Sequence, residues 1–151
     1  MAVHGPEELR REGRLVRRST RASLMSDTKW RRLFAALDTP DLALGRCLWK
    51  FVGREDAVPG GFSVGLYPPR PWVDTTSFGP LPLKSIEWLW VPRRTKWGRK
   101  VQDVDHAARI LSGLGRYPVE VNERGLLIRG YLGKGPSDAD VELAEALPLE
   151  V

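Results

Sequence analysis

Apolar residues recur at helical spacing in the first ordered part of the chain. Four large apolar side chains stand at positions i, i+3, i+4 and i+7, which line one face of a helix: Trp30, Leu33, Phe34 and Leu37. Ser26 or Asp27 can cap this helix, and Pro40 ends it. Two further stretches, 103–114 and 137–147, begin with a capping Asp or Ser. The pattern predicts three helices.

Shorter apolar runs predict the strands. Residues 62–67 alternate between apolar and small positions, and 85–91 are largely apolar on both faces. A strand that is buried on both faces lies in the interior of a sheet, so 85–91 is the predicted central strand. Residues 119–121 and 126–131 form a predicted hairpin, with Gly125 in the left-handed conformation at the end of a type I turn.

Prolines and glycines separate these runs. Residues 58–61 (Val-Pro-Gly-Gly) are predicted to form a turn. The prolines between 68 and 82 remove backbone donors, so this stretch is expected to form neither a helix nor a central strand. Residues 47–52 are a strand or the end of a short helix. The sequence thus predicts one α+β domain over 25–151, with an antiparallel sheet of four to five strands and two or three packed helices.

Positive charge is concentrated at the N-terminus. Residues 1–24 carry six arginines against three glutamates, a net charge of +3, which leaves +2 of the chain's +5 for the other 127 residues. Large apolar side chains are few there, so the segment buries too little surface to offset its ordering entropy. The open interpretations are a disordered basic arm, which on charge alone could bind nucleic acid or a membrane surface, and a wrongly assigned start that makes Met25 the natural first residue. The three glutamates count against a transit peptide.

The composition favours a cytoplasmic protein. The chain has 151 residues, enough for one core without disulfides or metal, and 28% of them are charged. Its single cysteine, Cys47, forms no internal disulfide, which is typical of a reducing compartment. No apolar run has the roughly 18 residues that a membrane helix needs. We therefore expect no membrane association, and the residues suggest no cofactor.

The most unusual stretch is the proline- and tryptophan-rich run 66–92. Ordered aromatic loops between rigid elements often carry function. In it, Arg70 and Asp74 can either pair with each other or grip a ligand, while Tyr67 and Trp72 supply stacking faces or plug the core. These four residues are the first candidate binding residues.

Two more candidates follow in the sequence. Glu87 lies in the predicted central strand, where burial would move a carboxyl group toward acid–base chemistry, unless it faces solvent or pairs with Arg70 or Arg93. The basic segment 93–100 interleaves five cations with one tryptophan, which suits either phosphate contact with base stacking or a solvated loop. His106 lacks a second histidine in the folded part, so no metal site is predicted.

Several short motifs resemble an uncharacterised family of bacterial proteins that is classed only as a domain of unknown function. The resemblance covers about 28–131 and rests on TKWR at 28–31, CLWKF at 47–51, LYPPRPWVD at 66–74, SFGP at 77–80, SIEW at 85–88, QDV at 102–104 and ERGL at 123–126. It implies a small intracellular protein without assigned chemistry. It begins near Met25, in keeping with the second interpretation of the N-terminal segment.

Three functions remain in competition. The leading hypothesis is a non-enzymatic binding protein that presents 67–77 to a protein partner, because tryptophan, tyrosine and arginine dominate interface hot spots. An immunity protein that neutralises a toxin would be a special case. The alternatives are a nucleic-acid-binding protein that uses 93–100 and a small enzyme with a site around Arg70, Asp74 and Glu87.

Overall fold

The computed structural model describes residues 22–42, 44–61, 65–66, 72–74, 81–96 and 101–146. At 65–66 and 72–74 it describes the backbone alone. The helices are α1 (Asp27–Leu37), α2 (Val104–Leu114) and α3 (Asp138–Glu145), and a 3-10 turn spans Leu83–Ser85. The strands are β1 (Arg46–Phe51), β2 (Val58–Gly61), β3 (Gly65–Leu66), β4 (Trp72–Asp74), β5 (Leu81–Pro82), β6 (Ile86–Pro92), β7 (Val119–Val121) and β8 (Gly125–Arg129).

The strands form two antiparallel sheets. The main sheet has five strands in the order β2-β1-β6-β8-β7, and β3, β4 and β5 form a small sheet with β4 in the middle. The three helices and the five-stranded antiparallel sheet of the described residues make this a single α+β domain, which confirms the predicted class. Strand β6 is the central strand of the main sheet, also as predicted.

The helices begin where their capping residues predict. The Ser26 side chain accepts a hydrogen bond from the Lys29 N–H at 3.1 Å at the start of α1. Asp103 accepts from the His106 N–H at 3.0 Å at the start of α2. At α3, Ser137 and Asp140 bond each other's backbone N–H groups in a capping box. Each cap satisfies donors that the first helical turn leaves free.

Both faces of the main sheet are covered. The α1/α2 face packs on the larger core, in which the buried sheet residues are Cys47, Trp49, Phe51, Ile86, Leu89, Val91, Leu126 and Ile128. The α3 face packs on a smaller core of Leu48, Ala57, Trp88, Trp90, Leu127, Val141 and Ala144. The main sheet therefore lies between a layer of two helices and a single helix.

Four aromatic rings join α1 to β1 within the larger core. Trp30, Phe34, Trp49 and Phe51 stack in sequence, with ring centroids 5.7, 5.7 and 6.1 Å apart and interplanar angles of 15–19°. The apolar face of α1 predicted from the sequence therefore packs on β1 through stacked aromatic rings. Such pairs stabilise the contact beyond the burial of their surface and fix the position of the helix on the sheet.

Three local predictions were wrong. Residues 58–61 form the edge strand β2, because Pro59 is tolerated where one side of a strand has no ladder partner. Strand β4 is central in the small sheet, although prolines flank it on both sides, because Trp72–Asp74 itself contains none. Gly125 is not among the glycines with positive φ. It lies in β8, and a Cβ there would approach the Trp90 ring to 2.7 Å, so close packing requires glycine.

The predicted N-terminal arm reaches the fold in its last three residues. The Leu24 N–H donates to the Gly130 carbonyl at 2.8 Å, and the Leu132 N–H donates to the Ala22 carbonyl at 3.0 Å. Ser23 thereby pairs with Tyr131, whose ring is buried and whose hydroxyl donates to the Lys84 carbonyl at 2.8 Å. Residues 1–21 lie outside the described residues.

We predict that removing 22–24 destabilises the domain. A chain that starts at Met25 loses two interstrand hydrogen bonds and part of the cover over Tyr131, which should lower the free energy of unfolding by about 1–2 kcal/mol. A chain that starts at Ala22 is the matched control and should lie within about 0.5 kcal/mol of the full chain. Urea denaturation of the three chains checks this. Equal stability of the two truncated chains would contradict it.

A buried amide closes one end of the main sheet. Gln102 is 3% exposed, and its Oε1 accepts from the Gly45 N–H at 2.7 Å. Its Nε2 donates to the Arg46 carbonyl at 3.1 Å and to the Pro92 carbonyl at 2.8 Å. The side chain therefore ties β1 to β6 at the point where Pro92, which lacks an N–H, cannot continue the ladder.

Replacing Gln102 should cost more stability than its size suggests. Gln102→Ala takes this partner away from the Gly45 N–H and from the Arg46 and Pro92 carbonyls, for an expected loss of about 2–4 kcal/mol in the free energy of unfolding. Gln102→Glu keeps an oxygen that accepts from the Gly45 N–H, but its other carboxylate oxygen faces the Arg46 and Pro92 carbonyl oxygens, which repel it. Its loss should therefore be larger at pH 7 than at pH 4, where the carboxyl group is protonated in the folded state. An alanine variant within about 0.5 kcal/mol of the wild type would contradict this role.

Candidate functional site

The first group of candidate residues lies on and beside the small sheet. Trp72 and Asp74 are the ends of β4, paired in register with Pro82 and Gly65. Their side chains, and Tyr67 and Arg70 as whole residues, lie outside what the structure describes. The structure therefore locates two of the four candidates along the backbone, and the predicted cluster of their side chains stays a prediction.

The small sheet is attached firmly to the core through its last strand. Strand β5 runs directly into the 3-10 turn Leu83–Ser85, which runs directly into β6. Leu81 is 2% exposed and Leu83 and Ser85 are fully buried, and the Ser85 hydroxyl donates to the Pro82 carbonyl at 2.6 Å. The pairing of β4 with β5 thus connects the backbone of the candidate segment to the best-packed strand of the protein.

Glu87 is buried, and it forms an ion pair. It lies where the β1–β6 register shifts between Lys50 and Phe51, and its carbonyl accepts from the N–H groups of Gly130 and Tyr131 at 2.8 and 3.2 Å. Its Oε1 is 3.5 Å from the Lys50 Nζ, and both side chains are more than four-fifths buried. The Lys50 ammonium also donates to the Phe51 and Arg54 carbonyls. Of the partners considered from sequence, Arg93 is engaged elsewhere, with Asp105.

Sequence reasoning missed Lys50 and Arg129 as neighbours of this strand. Lys50 stands opposite Trp88 from β1, and Arg129 stands opposite Trp88 from β8, so the three form one row across the α3 face. Arg129 donates to the Gly133 carbonyl at 2.6 Å and contacts Glu120 at 3.3 Å. The sequence gives no indication of this proximity, because neither residue is near Glu87 in the chain. Only the register of the strands brings them together.

We predict that the Lys50–Glu87 pair is structural. Lys50→Met removes the cation that lies 3.5 Å from the buried Glu87 carboxylate and should lower the free energy of unfolding by about 2–4 kcal/mol, slightly less than for a fully buried pair. The double variant Lys50→Met/Glu87→Leu removes both charges and should lose less than Lys50→Met alone. Urea denaturation of the single and double variants gives the coupling. Additive losses would contradict the pairing.

Arg93, the sixth candidate, holds the end of β6 to α2. Its guanidinium bonds both Asp105 oxygens at 2.5 and 3.1 Å and donates to the Asn122 carbonyl at 2.7 Å. This hydrogen bonding raises the pKa of Arg93 and lowers the pKa of the Asp105 carboxyl group. A two-pronged arginine–carboxylate contact of this kind orients both partners. Both terminal nitrogens of Arg93 are therefore engaged within the domain.

The rest of the described basic segment is held at its backbone. Arg94 pairs with Val101 as an antiparallel bridge, and the Lys96 N–H donates to the Glu145 carbonyl at 2.6 Å. The side chains of Arg94 and Lys96 are exposed. Residues 97–100 lie outside the described residues. The described residues on either side of this gap are thus paired with each other, Arg94 with Val101 and Arg93 with Gln102.

The other reactive groups have structural settings. Cys47 is fully buried, and desolvation raises the pKa of its thiol far above the usual range, which disfavours the nucleophilic thiolate. The His106 N–H is part of the α2 cap. Within the described ranges, no group of three or more His, Cys, Asp and Glu side chains could hold a metal ion. None of the helices in these ranges is long and apolar enough to cross a membrane.

The candidate residues thus lie on an α+β domain with a buried central strand and a small second sheet. A family model matches residues 13–135, and the chain belongs to that family, a family of unknown function (DUF6678). The match starts upstream of Met25 and includes the segment that pairs with Tyr131. No curated protein and no solved structure matches the chain.

Proposed function

We propose that this protein is a non-enzymatic binding protein of the bacterial cytoplasm that presents the segment 67–77 to a protein partner. The observation that carries the proposal is the attachment of β4: its backbone pairs with β5, which runs without a break into the buried strand β6. A binding segment supported in this way loses less entropy when a partner contacts it. Tyr67, Arg70 and Trp72 are of the residue types that dominate such contacts.

The chemistry of the described groups supports binding over catalysis. Glu87, the acid that an enzyme site with Arg70 and Asp74 would use, has its charge balanced by Lys50 at 3.5 Å. Cys47 is buried with a raised thiol pKa, which disfavours a nucleophilic role and suits a reducing compartment. An immunity protein that covers a toxin's active site would be one form of the proposed activity.

Nucleic-acid binding through 93–100 is the second candidate, and one observation favours it. Arg94 and Lys96 are exposed on a loop whose backbone is held at both ends, by the Arg94–Val101 bridge and by the Lys96–Glu145 hydrogen bond. Cations presented in this way suit contacts to phosphate groups. The engagement of Arg93 with Asp105 makes this surface smaller than the sequence predicted.

Two double variants separate the candidates, and each is the control for the other. We expect Arg70→Ala/Trp72→Ala to lose a protein that the full chain captures from a nuclease-treated lysate of its host, while Arg94→Ala/Lys96→Ala retains it. Circular dichroism and thermal melting establish that both variants fold. Loss of capture at least tenfold is expected if Trp72 is a hot spot of about 2 kcal/mol.

The opposite pattern would overturn the proposal. If the full chain captures nucleic acid from an untreated lysate, and Arg94→Ala/Lys96→Ala alone abolishes this, the second candidate holds. If Arg70→Ala/Trp72→Ala is folded and captures the same proteins as the full chain, 67–77 is not the binding segment.

A further inference from the structure

Two buried N–H donors on the α3 face have no acceptor among the described residues. Trp90 is 3% exposed, and its indole Nε1 has no hydrogen-bond partner there. The Nε of Arg46 is likewise buried without a partner. Buried donors in folded proteins are almost always paired, because an unpaired donor keeps its desolvation cost. An acceptor bound between these two donors would satisfy both.

The two donors belong to one region of the sheet. Leu48 stands directly opposite Trp90, and Arg46 precedes Leu48 by two residues on β1, so Arg46 and Trp90 are diagonal neighbours on the same face. Diagonal Cα atoms in such a pair are about 7–8 Å apart, within the reach of an arginine side chain. The Gln102 Nε2, which donates to the Arg46 and Pro92 carbonyls together, confirms that these strand ends lie side by side.

The charge of Arg46 is unopposed in the described part of the chain. No carboxylate of the described residues forms an ion pair with its guanidinium, whereas Arg93 and Arg124 are each bound by an acid. Glu145, the acid nearest this end of α3, meets Arg124 at 2.5 and 3.3 Å, so its charge is already balanced. The region therefore offers donors and a net positive charge, and its complement is an oxyanion.

We propose that Arg46 and the Trp90 indole N–H form a binding site for a phosphate group. Phosphate is preferred over carboxylate because the exposed cations Arg94 and Lys96 follow on the chain just beyond β6 and add positive charge at the same end of the sheet. The phosphate belongs either to a small phosphorylated ligand or to a nucleic-acid backbone. The site does not involve 67–77, so it stands or falls independently of the proposed protein partner.

Nuclear magnetic resonance of the Trp90 indole tests the proposal directly. The full chain is labelled with nitrogen-15, and its Trp90 indole signal is assigned with a Trp90→Phe variant. Inorganic phosphate is then titrated against sodium chloride of equal ionic strength. We expect a saturable shift of this signal with phosphate and none with chloride. Arg46→Gln should weaken the apparent affinity about tenfold or more, since a charge-assisted contact is lost.

The controls separate this site from general charge. Arg32→Gln removes an exposed arginine of α1 on the opposite side of the sheet and should leave the titration unchanged. Arg46→Lys keeps the positive charge but replaces the planar guanidinium, with its fixed set of donors, by an ammonium group, and should give an intermediate affinity for phosphate. A second titration with a single-stranded oligonucleotide distinguishes the sources: tighter binding than phosphate supports a nucleic-acid backbone, and binding of phosphate alone supports a small ligand.

Two results would overturn the site. One is a Trp90 indole signal whose chemical shift changes with neither phosphate nor oligonucleotide, which would mean that water satisfies the donor. The other is a shift that persists unchanged in folded Arg46→Gln. Because the first result needs only the wild-type chain, the proposal remains testable even if the Arg46 variants fail to fold.

Discussion

The fold depends on the complete burial of one strand. All seven residues of β6 are buried, with Trp88 and Trp90 on the α3 face and Leu89 and Val91 on the other. A strand buried on both faces requires a helical layer over each face and a hydrogen-bonded strand on either side of it. Helices α1 and α2 cover one face of β6, and α3 covers the other. Strands β1 and β8 are its hydrogen-bonded neighbours.

Burial of this strand determines how its polar groups are treated. The Glu87 carboxylate pairs with Lys50, and its carbonyl accepts from Gly130 and Tyr131. At the other end of the strand, the Pro92 carbonyl accepts a hydrogen bond from the Gln102 side-chain amide. Polar groups in a low-dielectric interior have to be paired, because an unpaired charge or carbonyl there is costly. The Trp90 indole Nε1 on this strand is buried without a hydrogen-bond partner among the described residues, and this observation underlies the proposed phosphate site.

The two sheets differ in how they are packed. The main sheet is covered on both faces, and its candidate acid is ion-paired with Lys50. The small sheet is joined to it through Leu81 and Leu83, both buried, and carries β4 outside the main ladder. The proposed binding segment relies on this attachment, because a supported segment loses less entropy when a partner contacts it.

Periodicity in the sequence was sufficient for the helices and for the central strand. The stripe from Trp30 to Leu37 and the capping residues Ser26, Asp103 and Ser137 predicted all three helices, because helix formation is decided by spacing and local hydrogen bonds. Residues 58–61 were predicted as a turn, because a proline–glycine run reads as a turn unless a neighbouring strand is known.

The sequence by itself determined the class of fold and the buried central strand. Only the tertiary structure decided which charges are used internally. Lys50 meets Glu87 and Asp105 meets Arg93, while Arg46 has no ion-pair partner among the described residues. The physical reason is register: residues 37 positions apart in the chain, such as Lys50 and Glu87, become neighbours only when two strands align, and a shift of one residue would place them on opposite faces.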